Sequence, residues 1–336
     1  MSRKILSICA VLALAASSLA ARALTRGPAA GDAGSRTIRL KLALVLPASH
    51  SVHAALLFMS SRVAELSGGK VDLQIFGGAQ LGTEPESIEQ VQRGAVAAAK
   101  VSAAALEPFV SDMGVFSMPY LFRDETHCWN VLLGDIGREI LRSAEAHGLH
   151  GVAYYDSGSR SFYTLAKPIK TPGDLKGLKL RVQPSRQAQE MIALLGGAPT
   201  PLAYGDVHAA LQEGQIDGAE NNPPSFYTSR HYEVARHYSI DEHTRVPDVI
   251  VFSAKVWQDL PVAVRGWIEQ GAFESISFQR RLWRDQTEEA LREVQKAGVS
   301  VYRPDQSAFA AAMGPMYTRA DGTRLGELAR RIMVAE

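Results

Sequence analysis

Cysteine is almost missing from this chain: Cys9 and Cys128 are the two among 336 residues. Cys9 lies in an N-terminal apolar run, so export with removal of that run leaves Cys128 alone, and the fold must rest on its core rather than on a disulfide. Long apolar stretches are missing as well. Residues 5–16 form the one obvious run, and it is too short to span a bilayer. Charge of either sign is not in excess, with 36 Lys and Arg against 35 Asp and Glu. Nothing in this balance argues for a nucleic-acid partner.

Chemical signatures are equally scarce. There is no G-x-G-x-x-G, no Walker A loop, no G-x-S-x-G and no H-E-x-x-H, which removes the common nucleotide, serine-hydrolase and zinc-protease readings. Ser67-Gly-Gly-Lys70 matches S-x-x-K by letter only, because its glycine pair breaks the helix that motif needs. His50 and His53 have helical spacing but no third ligand nearby, so neither a metal nor a cofactor is expected. Asp217 and Glu220 could be posed as a glycosidase acid pair; in so tight a turn they are read instead as caps on neighbouring backbone. His231 and His237 read as surface residues.

What is present begins with an export signal. Arg3 and Lys4 precede the apolar run, small residues follow, and Ala21-Arg22-Ala23 supplies the cleavage pattern, so residues 1–23 are expected to be a signal peptide. Ile8 before Cys9 is too large for a lipoprotein site. Removing the signal takes three basic residues, so 36 becomes 33 against 35 acids, a net charge of −2. Residues 24–36, rich in Gly and Ala, are expected to be a flexible leader.

Beyond the leader the pattern is α/β. Ile38, Leu40, Leu42 and Leu44 alternate with polar residues, Val52 to Leu66 carries one apolar helical face stopped by Gly68-Gly69, and Val71, Leu73 and Ile75 alternate again. A helix at 84–94 and a small-residue strand at 96–102 complete a β-α-β-α-β start, which predicts a mostly parallel sheet with helices on its faces. A single helix is expected at 125–146, strands at 151–155 and 249–253, and a helix at 261–297 that at about 1.5 Å per residue is about 55 Å long. Gly266 or Gly271 could kink it.

Residues 171–224 carry the most information. Thr171, Pro172 and Asp174 read as a capped turn, Gly177 ends it, and Leu178, Leu180 and Val182 alternate as the inner face of a strand that Pro184 terminates. Arg181 therefore stands near the carboxyl end of a strand followed by a helix, the edge where open α/β sheets bind ligands. Residues 216–219 read as a second short strand, ending at Asn221 and Asn222.

This order of elements resembles the solute-binding proteins of tripartite ATP-independent periplasmic (TRAP) transporters, the family often called C4-dicarboxylate-binding. The resemblance is carried by Ile169-Lys-Thr-Pro-Gly-Asp-Leu-Lys-Gly-Leu-Lys-Leu-Arg181, by Gly196-Gly-Ala-Pro-Thr-Pro-Leu-Ala-Tyr204-Gly-Asp206 and by Ala210-Leu-Gln-Glu-Gly-Gln-Ile-Asp-Gly-Ala-Glu-Asn221. Gln80-Leu-Gly82, Glu89-Gln-Val-Gln-Arg-Gly94 and Met118-Pro-Tyr-Leu-Phe122 match upstream, so it runs from about residue 40 to about 300. It implies a two-lobed periplasmic-binding-protein fold of type II-like α/β architecture, a ligand cleft between the lobes and one long helix spanning both. Lobe I is expected at 37–158 with 247–285, and lobe II at 159–246 with 286–336. The implied partners are a small organic acid and the small and large membrane subunits of the transporter, the implied compartment is the periplasm, and no catalysis is implied.

The resemblance assigns Arg181 to the ligand carboxylate, a role its planar, permanently charged fork suits. Without it, Arg181 reads equally as a surface arginine paired within its own lobe. Asn221 can donate and accept, while Asn222 can be a turn residue. Arg160, at the crossing between lobes, is a second basic contact or a hinge ion pair, and Tyr204 covers the ligand or fills a core. His53 and Glu84, at helix starts after strands, face the cleft or merely cap their helices. Glu242 and His243 are weaker candidates. A second carboxylate would meet Glu84 unfavourably, which favours a polyhydroxylated acid. The run Glu220-Asn-Asn-Pro-Pro-Ser-Phe-Tyr resembles the sugar-acid branch, so a hexuronate such as glucuronate or galacturonate is expected. A C4-dicarboxylate binder and a periplasmic hydrolase acting through Glu84 or Asp217 are the alternatives.

Overall fold

The structure, a computed structural model, describes residues 37–336. The expected signal peptide and leader lie outside the described residues. Strands β1 (Ile38–Leu44), β2 (Val71–Phe76), β3 (Ala98–Ser102), β4 (Leu149–Tyr155) and, much later, β10 (Asp248–Ser253) form one sheet in the order β2-β1-β3-β10-β4. β1 runs parallel to β2 and β3, and β10 enters antiparallel between β3 and β4. The alternation of the first strand is realised: Leu40, Leu42 and Leu44 are buried. Each such side chain contributes about 1.5–3 kcal/mol of transfer free energy. Helix Ser51–Ser67 ends where Gly68 adopts φ 61°, a left-handed turn at little cost only to glycine.

The second sheet contains β5 (Arg160–Thr164), β6 (Lys179–Val182), β7 (Ala198–Pro201), β8 (Gly218–Asn221), β9 (His237–Thr244) and β11 (Ser300–Tyr302), in the order β11-β9-β5-β8-β6-β7. The Thr171–Asp174 capping box closes the turn before β6. β9 lacks the apolar alternation of an inner strand. It is nonetheless buried, because its polar side chains find partners. Ser239 accepts the Ile169 amide at 2.8 Å and Asp241 the Phe162 amide at 3.2 Å.

The lobes are crossed by three segments, residues 156–159, residues 245–247 and helix Val262–Lys296. That helix runs unbroken for 35 residues, which at about 1.5 Å per residue makes it about 52 Å long. Val264, Ile268, Ala272, Ile276 and Trp283 join the first lobe's core, while Val294 joins the second's. Gly271 does not kink it. A Cβ there would stand 2.7 Å from Val63 Cγ2, so the glycine permits close packing on helix Ser51–Ser67.

Two expectations about elements need correction. The helix expected at 125–146 is two helices, Glu125–Leu133 and Asp135–Ser143, separated at Gly134. The junction is tight: a Cβ on Gly137 would collide with the Leu132 carbonyl oxygen. The assignment of 286–336 to lobe II is also too broad. Met316, Ala320, Leu328, Ala329 and Ile332 belong to the first lobe's core, and His127 Nε2 lies 2.9 Å from the Ile332 carbonyl oxygen. Apolar spacing marked these residues as helical without saying which sheet they would cover.

Candidate ligand-binding site

The edges of the two sheets face each other across a chamber with ≈ 390 Å³ of empty volume. Its first-lobe wall includes His50, Glu84, Lys100 and Asp248, and its second-lobe wall Arg160, Gln183, Tyr204 and Asn221. A second pocket, with ≈ 760 Å³ of empty volume, adjoins it and shares Val45, Glu84, Gln183 and Tyr204. Arg181 lines this second pocket rather than the chamber.

Arg181 stands one residue from the end of β6 and pairs across the sheet with Thr200 and Ala219. Its Nε and Nη2 donate to the Leu202 carbonyl at 3.0 and 2.8 Å, which fixes the plane of the fork. Its Nη1 has no partner among the described residues, although the side chain is buried. No carboxylate among the described residues reaches it at ion-pair distance. Burial lowers its pKa, an effect that the more distant Glu220 opposes. A buried, unpaired guanidinium is costly, and an incoming carboxylate would remove that cost.

Arg160, at the start of β5, is held differently. It forms a buried ion pair with Glu220, its Nη2 also donates to the Glu220 carbonyl at 2.8 Å, and its Nη1 donates to Asn221 Oδ1 at 3.0 Å. His243 Nε2 lies 3.5 Å from Glu220, and its Nδ1 lies 2.8 Å from Asp241. Burial pushes Glu220 up, but Arg160 and His243 outweigh it and hold the carboxyl at about 2. Burial likewise pulls His243 down, and Asp241 with Glu220 reverse this to about 9. Glu220, read from sequence as a backbone cap, is thus the charge partner of Arg160.

Asn221 closes β8 opposite Ser161 of β5. Its Oδ1 is occupied by Arg160 and by the Asn222 amide, whereas its Nδ2 donates to no group among the described residues. Asn222 is the N-cap of helix Pro223–Thr228, accepting the Ser225 amide at 2.9 Å. Tyr204 is half-buried and its hydroxyl is hydrogen-bonded to Ser229. The tyrosine borders both cavities.

On the first lobe, Glu84 opens helix Glu84–Gln92 and its Oε1 accepts the Ser102 amide at 3.0 Å. His53 does not line either cavity: its ring packs against Gly77, where a Cβ would be 2.8 Å away. His50, three residues earlier, takes the place expected of it. Its Nδ1 caps helix Ser51–Ser67, its Nε2 is unpartnered among the described residues, and burial followed by Lys100 lowers its pKa to about 3, so it is neutral. His231 is not a surface residue either. It is buried, with Nδ1 2.8 Å from the Tyr163 hydroxyl.

Lys100 and Asp248 had no signal in the sequence. Lys100 is the one charged residue of β3, 2% exposed, with Nζ 3.0 Å from Asp248 and 3.7 Å from Glu84. Burial raises the Asp248 pKa to about 6 against the opposing pull of Lys100.

Similarity to other proteins decides what such a chamber belongs to. The sequence pattern of the DctP family, bacterial extracellular solute-binding proteins of family 7, matches residues 42–322. This chain belongs to that family. A solute-binding protein of Chromohalobacter salexigens is 35% identical over 272 residues, covering 81% of each chain. The TRAP periplasmic solute-binding protein of Bradyrhizobium sp. BTAi1, solved with α/β-D-galacturonate, is 41% identical, covers 89% of this chain and 99% of its own, and superposes with a TM-score of 0.85. That of Roseobacter denitrificans, solved with β-D-glucuronate, is 34% identical, covers 89% and 100%, and has a TM-score of 0.86. The family-7 architecture is therefore the two-lobed one read from the sequence, and its business is transport. No helix among the described residues is long and apolar enough to cross a membrane.

Proposed function

We propose that this family-7 protein captures a hexuronate, glucuronate or galacturonate, in the periplasm and hands it to the small and large membrane subunits of a TRAP transporter without altering it. The observation that carries this reading is the unpaired Nη1 of buried Arg181, a preformed place for one carboxylate. Asn221 Nδ2, Tyr204, Arg160 and Glu84 complete the proposed contacts, and His50 replaces His53 among them. Galacturonate and glucuronate in the two solved relatives support the ligand class.

Charge speaks against a dicarboxylate. Arg160 is paired with Glu220 and Lys100 with Asp248 and Glu84, so Arg181 is the cation on these walls without a carboxylate partner among the described residues. One ligand carboxylate therefore meets one unpaired cation, whereas a second would find none in a desolvated space, and sugar hydroxyls add no charge. Closure of the lobes then follows from tighter contact with ligand in the closed form.

A thermal-shift panel of hexuronates, succinate and malate tests the reading, since a ligand that binds the folded protein alone raises the Tm. A shift with glucuronate or galacturonate and little with the dicarboxylates is expected. A shift with succinate alone would replace the uronate by a C4-dicarboxylate. Recovery of changed ligand after incubation, followed by NMR, would support the hydrolase instead.

A further inference from the structure

Lys100 is a buried cation on the first-lobe wall of the chamber, next to the pocket that Arg181 borders, and nothing in the capture of a carboxylate requires it. An ammonium has three N–H donors. Asp248 at 3.0 Å takes one direction, Glu84 at 3.7 Å is an ion-pair contact beyond hydrogen-bond reach, and Lys100 lines the chamber. The acids keep spare capacity of their own. Glu84 Oε1 is taken by the Ser102 amide, while no protein donor among the described residues reaches Glu84 Oε2 or Asp248 Oδ1. The wall thus combines one donor with two acceptors.

We propose that Lys100, held between Glu84 and Asp248, reads adjacent hydroxyl groups on the sugar ring and so sets the specificity of the site for cyclic polyhydroxy acids. The inference rests on the uronate reading above and deepens it. Each hydroxyl both donates and accepts, so a pair of neighbours can take one N–H from Lys100 while giving one O–H to each acid. A carboxylate can accept from Lys100 but has nothing to give the acids. It would meet two negative groups across a desolvated gap, and the same three side chains that welcome a diol repel it. The wall belongs to the first lobe and the clamp to the second, so the diol is engaged when the lobes are together, which ties hydroxyl recognition to closure.

The test is a cycle of calorimetric titrations with D-glucuronate and its 2-, 3- and 4-deoxy analogues on the wild type and on Lys100→Met. The double variant Lys100→Met/Asp248→Asn keeps the net charge of the cluster and serves where the single variant does not fold. Loss of charge-assisted hydrogen bonds is expected to weaken D-glucuronate binding on the order of 10–100-fold. Removing at least one ring hydroxyl should cost the wild type a similar factor and the variant almost nothing, a coupling that a purely structural lysine would not produce. If the variant binds D-glucuronate as the wild type does, or every deoxy analogue loses the same factor in both proteins, the inference falls while the uronate reading stands. If the wild type binds no hexuronate, both fall.

Discussion

Glu107 of the first lobe accepts the backbone amide of Arg186, in the second, at 2.9 Å. The Ser185 hydroxyl donates to the same carboxylate, so the first turn of helix Arg186–Leu194 is capped from across the cleft. Burial raises the Glu107 pKa, so the contact sits in a water-poor seam. A charge-assisted hydrogen bond of this kind is worth about 1.5–3 kcal/mol. If it forms only when the lobes meet, Glu107→Ala should release ligand on the order of 10–100-fold faster with little change in association rate. Stopped-flow dissociation measures this, and an unchanged off-rate would mean that the contact survives opening.

Arg181 invites a prediction with two halves. Replacing it by Met should weaken uronate binding by more than about 100-fold, since one buried charge pair and its hydrogen bonds are lost. The unliganded protein should nevertheless melt no lower than the wild type, because an unpaired buried cation has been removed. Arg181→Lys should also fail, as a single ammonium cannot both hold the Leu202 carbonyl and offer a second face. A variant that binds normally, or that unfolds, would contradict this account of the guanidinium.

The His243 imidazole supplies a pH signature. Its pKa in the folded chain is about 9, against about 6.5 for an unperturbed histidine. Below about pH 6.5 it is protonated whether folded or not, and the stabilisation from Asp241 and Glu220 is complete. That stabilisation is lost as pH rises through about 9. The stability gap between wild type and His243→Gln should therefore shrink from pH 6 to pH 9.5, by on the order of 3 kcal/mol. Urea unfolding at several pH values reads it. A gap that stays constant would mean that folding does not shift the pKa of this imidazole.

Gly158 and Trp283 form a reporter at the crossing between lobes. Gly158 has φ 57°, and a Cβ on it would stand 2.8 Å from Trp283 Nε1. Gly158→Ala is expected to cost about 1–3 kcal/mol through strain and crowding. Trp283 also lines the chamber, so uronate binding should change tryptophan emission in the wild type and much less in Trp283→Phe. An equal response in both would place the signal on another tryptophan.

Much of the candidate site could be read before the structure was known, and the reasons are local. Arg181 and Asn221 lie at strand ends bounded by proline, so their place at the sheet edge followed from turn chemistry and strand alternation. Lys100 could not be found that way. It sits in a run of alanines and valines, and its partners are remote in the chain. Glu84 lies on the helix before it and Asp248 far downstream, brought together only by the insertion of β10 beside β3. His53 and His50 share a helix start, and spacing alone does not say which turns toward the chamber. β9 was illegible for a related reason: its buried polar residues Ser239, Asp241 and His243 depend on the Ile169 backbone, on the Phe162 amide of β5 and on Glu220 of β8 for their partners.

The helix Val262–Lys296 is rooted in both cores, with Ile268 and Trp283 at one end and Val294 at the other. A rod anchored at both ends cannot let the two bodies slide past one another without losing its hold on one core. Any change in their separation would have to bend the helix itself between Trp283 and Val294, together with the links at 156–159 and 245–247. The stretch of chain that can deform is therefore short, and its ends are set by where the two cores grip.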